Sequence, residues 1–243
     1  SVRIPMSVWT VPAVNSSTPT GPEGAERQRL RLTTPSHMIK KFGPETALLL
    51  IDIQKGVDVH EYWGGATGRR NNPDAETRSR RLLEAWREHK YPVFFTLHNS
   101  REQNSPLKLS LETGQPKEGF EPETGEVVVT KDVNGGFIGT NLEIQLRRAG
   151  VSRLLIAGFF TNMCVETTTR HAGNLGFDTY LVENACAATN RIGPDGSDHD
   201  PETVHMLSVA SLNGEFCTAI GCDDALSLLK SDHQALRRVQ GNE

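Results

Sequence analysis

Along this chain short apolar runs alternate with helical stripes, and the alternation begins at Thr46. "TALLLIDIQ" is an apolar run that ends in polar residues, the pattern of a strand buried on both faces. Residues 73–90 follow with Leu82, Leu83 and Trp86 at i, i+1 and i+4 among charges, which predicts a helix with one apolar stripe. "YPVFFTLHN" and "GEVVVTK" predict strands, and "TNLEIQLRRAG" predicts a helix closing on Gly150. "SRLLIAGFF" is a strand that runs into a helix holding Cys164. "FDTYLVENAC" is a strand, "DPETVHMLSVASLNGE" a helix and "FCTAIG" a sixth strand. Strands and helices in this alternation form βαβ units, so the expected fold class is α/β, a mainly parallel sheet with helices on both faces. Two stretches, 57–72 and 99–125, read as long loops, where binding residues gather.

The chain before Thr46 has no such period. It is rich in Pro, Ser, Thr and Gly, which predicts an extended arm over residues 1–43, one domain over 44–232 and a short tail over 233–243. Compact α/β chains commonly assemble with closed symmetry, so a homo-oligomer, dimer or tetramer, is expected, with the arm as a contributor. Composition adds exclusions. At 243 residues and 36% hydrophobic the chain supports one substantial core. A net charge of -4 argues against nucleic acid or an anionic membrane as partner. The apolar runs are too short to span a bilayer. Four cysteines without a repeated spacing point to a reducing, cytoplasmic setting.

In an open parallel sheet, ligands bind beyond the carboxyl ends of the strands. Those ends deliver Asp52, with Gln54 two positions on, then Lys131 and Cys164. Each alone has a plain reading: Asp52 a turn residue, Lys131 a solvated lysine, Cys164 a small buried hydrophobe. Together they are a base, a cation and a soft nucleophile on one rim. A helix N-terminus capped by Thr161 or Asn162, with Lys131 nearby, is expected to lower the Cys164 pKa. Asp52 can take the thiol proton and return it to a departing amine. Cys186, Cys217 and Cys222 lack such company and read as core.

At these residues the chain resembles the isochorismatase-like cysteine hydrolases. The likeness rests on "ALLLIDIQ", "VVVTKDVNGGFIGTNLEIQLRRAG" and "LLIAGFFTNMCVETTTRHAGNLGF" and runs from Thr46 to about Gly221. The resemblance implies a three-layer α/β/α fold with a six-stranded parallel sheet in the order 3-2-1-4-5-6. It implies an Asp52, Lys131, Cys164 triad, a cis peptide at Phe159–Phe160, and an oxyanion hole from the amides of Phe160 and Cys164. The cysteine favours C–N cleavage over the vinyl-ether chemistry of the branch that lacks it. The nicotinamidase-type metal site is not matched: "TLHNSREQ" lacks its acid and proline, and Asp58 and His60 are only a pair. No metal and no cofactor are therefore expected.

The expected substrate is a small linear amide or ureido compound, cleaved through a thioester with release of ammonia or carbamate. Gln54, His98, Asn99, Asn134, Phe137, Phe160 and His205 are expected to line its pocket, with Tyr62 and Trp63 as a lid. Asn and His suit an amide or ureido group that both donates and accepts. Arg69, Arg70 and Arg101 are candidates for a substrate carboxylate, although loop arginines are usually solvated. His171 reads as structural, and "GPDGSDHDPE" as a loop and helix cap rather than a calcium loop. The alternatives are a lactam-opening or nicotinamidase-type hydrolase on the same triad, a nitrilase-type enzyme, and an inactive binding member of the fold. Asp52, where the nitrilase group uses Glu, counts against the nitrilase-type reading.

Overall fold

The computed structural model describes Ile39 and residues 41–230. The arm expected over 1–43, apart from its last positions, and the tail over 233–243 lie outside the described residues. Six strands form one parallel sheet: β1 (Thr46–Ile51), β2 (Val93–His98), β3 (Val127–Lys131), β4 (Arg153–Phe159), β5 (Asp178–Ala187) and β8 (Thr218–Ile220). Their order is β3-β2-β1-β4-β5-β8, the expected one. The sixth core strand is eighth in the chain because a small hairpin, β6 (Arg191–Ile192) with β7 (Asp198–His199), precedes it.

All six residues of β1 are buried, and so are all but the first of β4. Central strands covered on both faces cannot alternate, which is why their runs are continuously apolar. The helices are α1 (His60–Gly64), α2 (Ala75–His89), α3 (Leu142–Arg148), α4 (Glu166–Asn174), α5 (Pro201–Leu212) and α6 (Cys222–Lys230). The pairs α2 with α6 and α4 with α5 pack together and cover the sheet, giving three layers. Helix α2 buries Ala75, Ser79, Leu82, Leu83 and Trp86, one stripe at helical spacing. The Trp86 indole also donates to the Thr46 carbonyl at 3.0 Å, satisfying its one polar group inside the core. Helix α5 begins as the sequence indicates, with the Asp200 side chain capping Thr203 N–H and Pro201 in the first turn.

One expectation fails. Residues 57–72 are no plain loop, for α1 and two 3-10 turns, Lys55–Asp58 and Gly65–Thr67, occupy most of them. Elements of three to five residues are shorter than one repeat of a helical stripe, so periodicity cannot reveal them.

The strand order reverses between β1 and β4, the place where ligands sit in open α/β sheets. At that seam Ile51 lies in register with Gly158. Gly158 has φ 130°, and a Cβ on it would stand 2.1 Å from the Ile51 carbonyl oxygen, so only glycine fits. Among the described residues no helix is long and apolar enough to cross a membrane.

Candidate active site

Four adjacent strands present their carboxyl ends in a row. Lys131 is in register with His98, Thr96 with Ile51, and Ile51 with Gly158. Asp52, one residue past β1, is fully buried with φ 52°, a left-handed conformation that turns the chain off the strand. Its Oδ1 accepts from Thr96 Oγ1 at 2.7 Å. Its Oδ2 lies 2.6 Å from Lys131 Nζ, a close buried ion pair.

Lys131 stands two strands from β1, so its side chain crosses the end of β2 to reach Asp52. His98, at that end, is therefore in its path. Lys131 Nζ has three aligned acceptors: His98 Nδ1 at 2.8 Å, the Val133 carbonyl at 3.1 Å and Cys164 Sγ at 3.3 Å. An ammonium group has three hydrogens, and each has a partner here. This network assigns His98 Nδ1 as an acceptor and puts the ring hydrogen on Nε2. Ligand atoms of Asp52, His98 and Cys164 lie within 4.8 Å of one another, a grouping that would suit a metal ion. The Lys131 ammonium stands among them, so the cluster already has its cation.

Cys164 follows β4. The Phe159–Phe160 peptide bond is cis, and residues Thr161–Val165 form one π turn leading into α4. The Phe160 carbonyl accepts from the N–H groups of Met163 and Val165 at 3.0 and 3.2 Å. Phe160 occupies the N-cap position without a side-chain cap, so neither Thr161 nor Asn162 plays the expected role. Thr161 Oγ1 is instead hydrogen-bonded with His205 Nδ1 at 2.8 Å.

The electrostatics also differ from expectation. Burial pushes the Cys164 thiol up and the Asp52 charge pushes it further, while Lys131 opposes both; the net shift is well upward. Burial alone would raise Asp52, but the adjacent Lys131 ammonium outweighs it and holds the carboxyl below its usual value. Burial would lower Lys131, but the Asp52 charge outweighs it and the net shift is up. The resting state is therefore carboxylate, ammonium and thiol. Burial, reinforced by the Asp52 carboxylate, dominates at sulfur.

A cavity of about 70 Å³ opens at Cys164 Sγ. Its walls include Val57, Tyr62, Trp63, His98, Asn134, Phe159, Phe160 and Met163. Tyr62 and Trp63 meet edge to face, and Trp63 also stands edge-on to Phe160 with ring centres 5.1 Å apart. Asn134 Oδ1 accepts from the thiol at 3.7 Å. Of the expected lining, then, His98, Asn134, Phe160, Tyr62 and Trp63 converge with Asp52, Lys131 and Cys164.

Four others do not. Gln54 is fully buried, its amide donating to the carbonyls of His98 and Gly114 and accepting from His98 N–H. Asn99 Oδ1 accepts from Leu109 N–H, pinning the second long loop. Phe137 packs on His171 and Phe177. His205 holds Thr161 from behind the nucleophile turn. The three arginines are each taken by an acid: Arg69 by Asp198, Arg70 by Glu76 and Arg101 by Asp132. Asp58 pairs with Lys117. Sequence reasoning missed Thr96, and also Ser100, Glu102 and Ser105 on the cavity wall. For Thr96 a signal existed, since it lies two residues before His98 on the strand beside β1; the loop residues carry none. The remaining cysteines, Cys186, Cys217 and Cys222, are buried and free, as core packing predicts.

The chain matches the isochorismatase domain over residues 46–222. It is 39% identical over 181 residues to the isochorismatase family protein YrdC of Bacillus subtilis, which covers 74% of this chain and 94% of that protein. It is likewise 39% identical to an isochorismatase-family crystal structure from Chromobacterium violaceum, with a TM-score of 0.72 over 77% of this chain and 95% of that one. The ureidoacrylate amidohydrolase RutB of Rhizobium rhizogenes is 36% identical over 106 residues, 42% of this chain and 41% of RutB. With its sheet order, the row of groups at the seam and these matches in hand, the chain belongs to the isochorismatase family.

Proposed function

We propose that this protein is a cysteine-dependent amidohydrolase that cleaves the C–N bond of a small linear amide or ureido compound. The observation that carries this reading is the Lys131 ammonium, 2.6 Å from Asp52 Oδ2 and 3.3 Å from Cys164 Sγ, beneath a cavity that opens on that sulfur. A raised thiol beside a lowered carboxylate stores the proton on sulfur until substrate arrives. Asp52 then takes that proton, and sulfur attacks the substrate carbonyl carbon. Lys131 stays charged and stabilises the thiolate. The carbonyl oxygen becomes an oxyanion, for which the N–H groups of Phe160 and Cys164 are the proposed donors; Phe160 N–H has no backbone partner among the described residues. Protonated Asp52 returns its proton to the departing nitrogen, the C–N bond breaks, and a thioester on Cys164 remains. Water, deprotonated by Asp52, adds to the thioester carbonyl and releases the acid and the thiol. The partial similarity to a ureidoacrylate amidohydrolase supports this choice of bond.

The test is ammonia release across neutral amides and ureido compounds, with and without Cys164→Ala. Loss of the nucleophile is expected to lower kcat by about a thousandfold or more. Acid quenching during turnover should yield the Cys164 peptide with the mass of an acyl adduct. Ammonia release that survives Cys164→Ala, or its absence across the panel together with an unmodified peptide, refutes the reading.

A further inference from the structure

The cavity at Cys164 carries little charge on its walls. Its walls are aromatic, aliphatic or neutral polar, apart from His98 and one carboxylate, Glu102. Tyr62 Oη donates to Glu102 Oε2, which fixes that carboxylate at the mouth. Among the described residues no lysine or arginine lines the cavity. Lys131 has all three hydrogens engaged, and Lys108 donates to the Ser100 carbonyl. Lys117 is shared by Asp58 and Glu76, and Arg70 is gripped by both oxygens of Glu76.

The cavity is small, about 70 Å³, and its end at Cys164 suits an amide or ureido head group. A substituent on that group must extend outward, past Glu102. The adjoining open groove shares His98, Ser100, Glu102 and Asn134 with the cavity and adds Arg101 and Asp132. Arg101 contacts the Asp132 carboxylate through both Nε and a terminal nitrogen at 2.7 Å. The exit route therefore carries two carboxylates against one guanidinium that is already paired.

We infer that this site accepts amides and ureas whose substituent is uncharged or cationic and excludes those bearing a carboxylate, with Glu102 as the residue that sets this preference. The inference rests on the reading of Cys164 as the nucleophile. It also separates this chain from RutB, because ureidoacrylate is itself a carboxylate.

Iodoacetamide and iodoacetate share a leaving group and nearly a shape but differ by one negative charge, so they probe the cavity without knowledge of the substrate. The measurement is the rate of Cys164 alkylation by each, followed by peptide mass and referenced to N-acetylcysteine at the same pH and ionic strength. The preference for iodoacetamide at Cys164 should exceed that of the free thiol by about tenfold, and Glu102→Gln should remove most of the excess. Gln keeps the shape of the side chain and an acceptor for Tyr62, so a loss of preference reports charge. Iodoacetate reacting at Cys164 with no such handicap, or a preference unchanged in Glu102→Gln, overturns the inference and leaves the amidohydrolase reading intact. Failure of both reagents to reach Cys164 overturns the inference together with the accessible nucleophile it rests on. Ammonia release abolished in Cys164→Ala alongside equal handicaps for both reagents separates the two claims.

Discussion

Lys131 holds three charge states in balance at once. Its ammonium lowers Asp52, opposes the rise of Cys164 and fixes which nitrogen of His98 accepts. Lys131→Met keeps the bulk and removes the charge. Burial then acts on Asp52 unopposed by a cation, so the carboxyl rises and must be deprotonated at higher pH before it can serve as base. The acid limb of the kcat/KM profile should move to higher pH, and kcat/KM at neutral pH should fall by about a hundredfold or more. A profile that keeps its acid limb would mean that Lys131 does not set Asp52. That Asp52, Lys131 and Cys164 meet was legible in the sequence because each lies at or shortly past a strand end, and strand ends are fixed by the apolar runs before them. Gln54 and Asn99 were misread for a physical reason. A polar side chain just past a strand can face a cavity or fold back on the backbone, and the choice belongs to loops that pass beside it, here at Gly114 and Leu109.

Helix α2 does more than fill a layer. Glu76 in its first turn accepts from Arg70 at 2.7 and 2.8 Å and from Lys117 at 2.6 Å, tying both long loops to one helix end. Both cations lie over the Phe159 ring, 5.1 and 5.8 Å from its centre, next to the turn that carries Cys164. Burial alone would raise Glu76, but these two partners bring it from 4.5 down to about 2. A carboxyl depressed in the folded state contributes its full stability above its unfolded value, and the contribution is lost as pH falls from about 4.5 through about 2. The shift corresponds to about 3 kcal/mol at neutral pH. Glu76→Gln should lower unfolding free energy by about that amount at pH 7 and by little at pH 2, measured by denaturant titration at both. Equal losses at the two pH values would remove the ion pairs from the explanation. Long elements such as α2 were legible through their stripes. The three short helical pieces after β1 were not, because their order comes from ties such as this one rather than from a repeat of their own.

For the molecule as a whole, the seam between β1 and β4 is both deeply buried and the place of the proposed chemistry. Gly158 lets the two strands close there, and Gly158→Ala would drive a methyl group into the Ile51 backbone. The expected cost is about 3 kcal/mol or more, read as a lower melting temperature or as failure to recover folded protein. An unchanged melting temperature would show that the seam can open. That the sheet is parallel and three-layered followed from alternation along the chain, but its strand order came only with the family likeness, since periodicity does not say which strands are neighbours. The size of the cavity has a consequence for the sequence of events. On the proposed thioester route the departing amine and the incoming water use the same small space beside Cys164. The covalent intermediate makes that proposed route a double displacement. Ammonia re-entering from solution would contend with water for the thioester on that route, so abundant ammonia is expected to slow turnover by re-forming the amide.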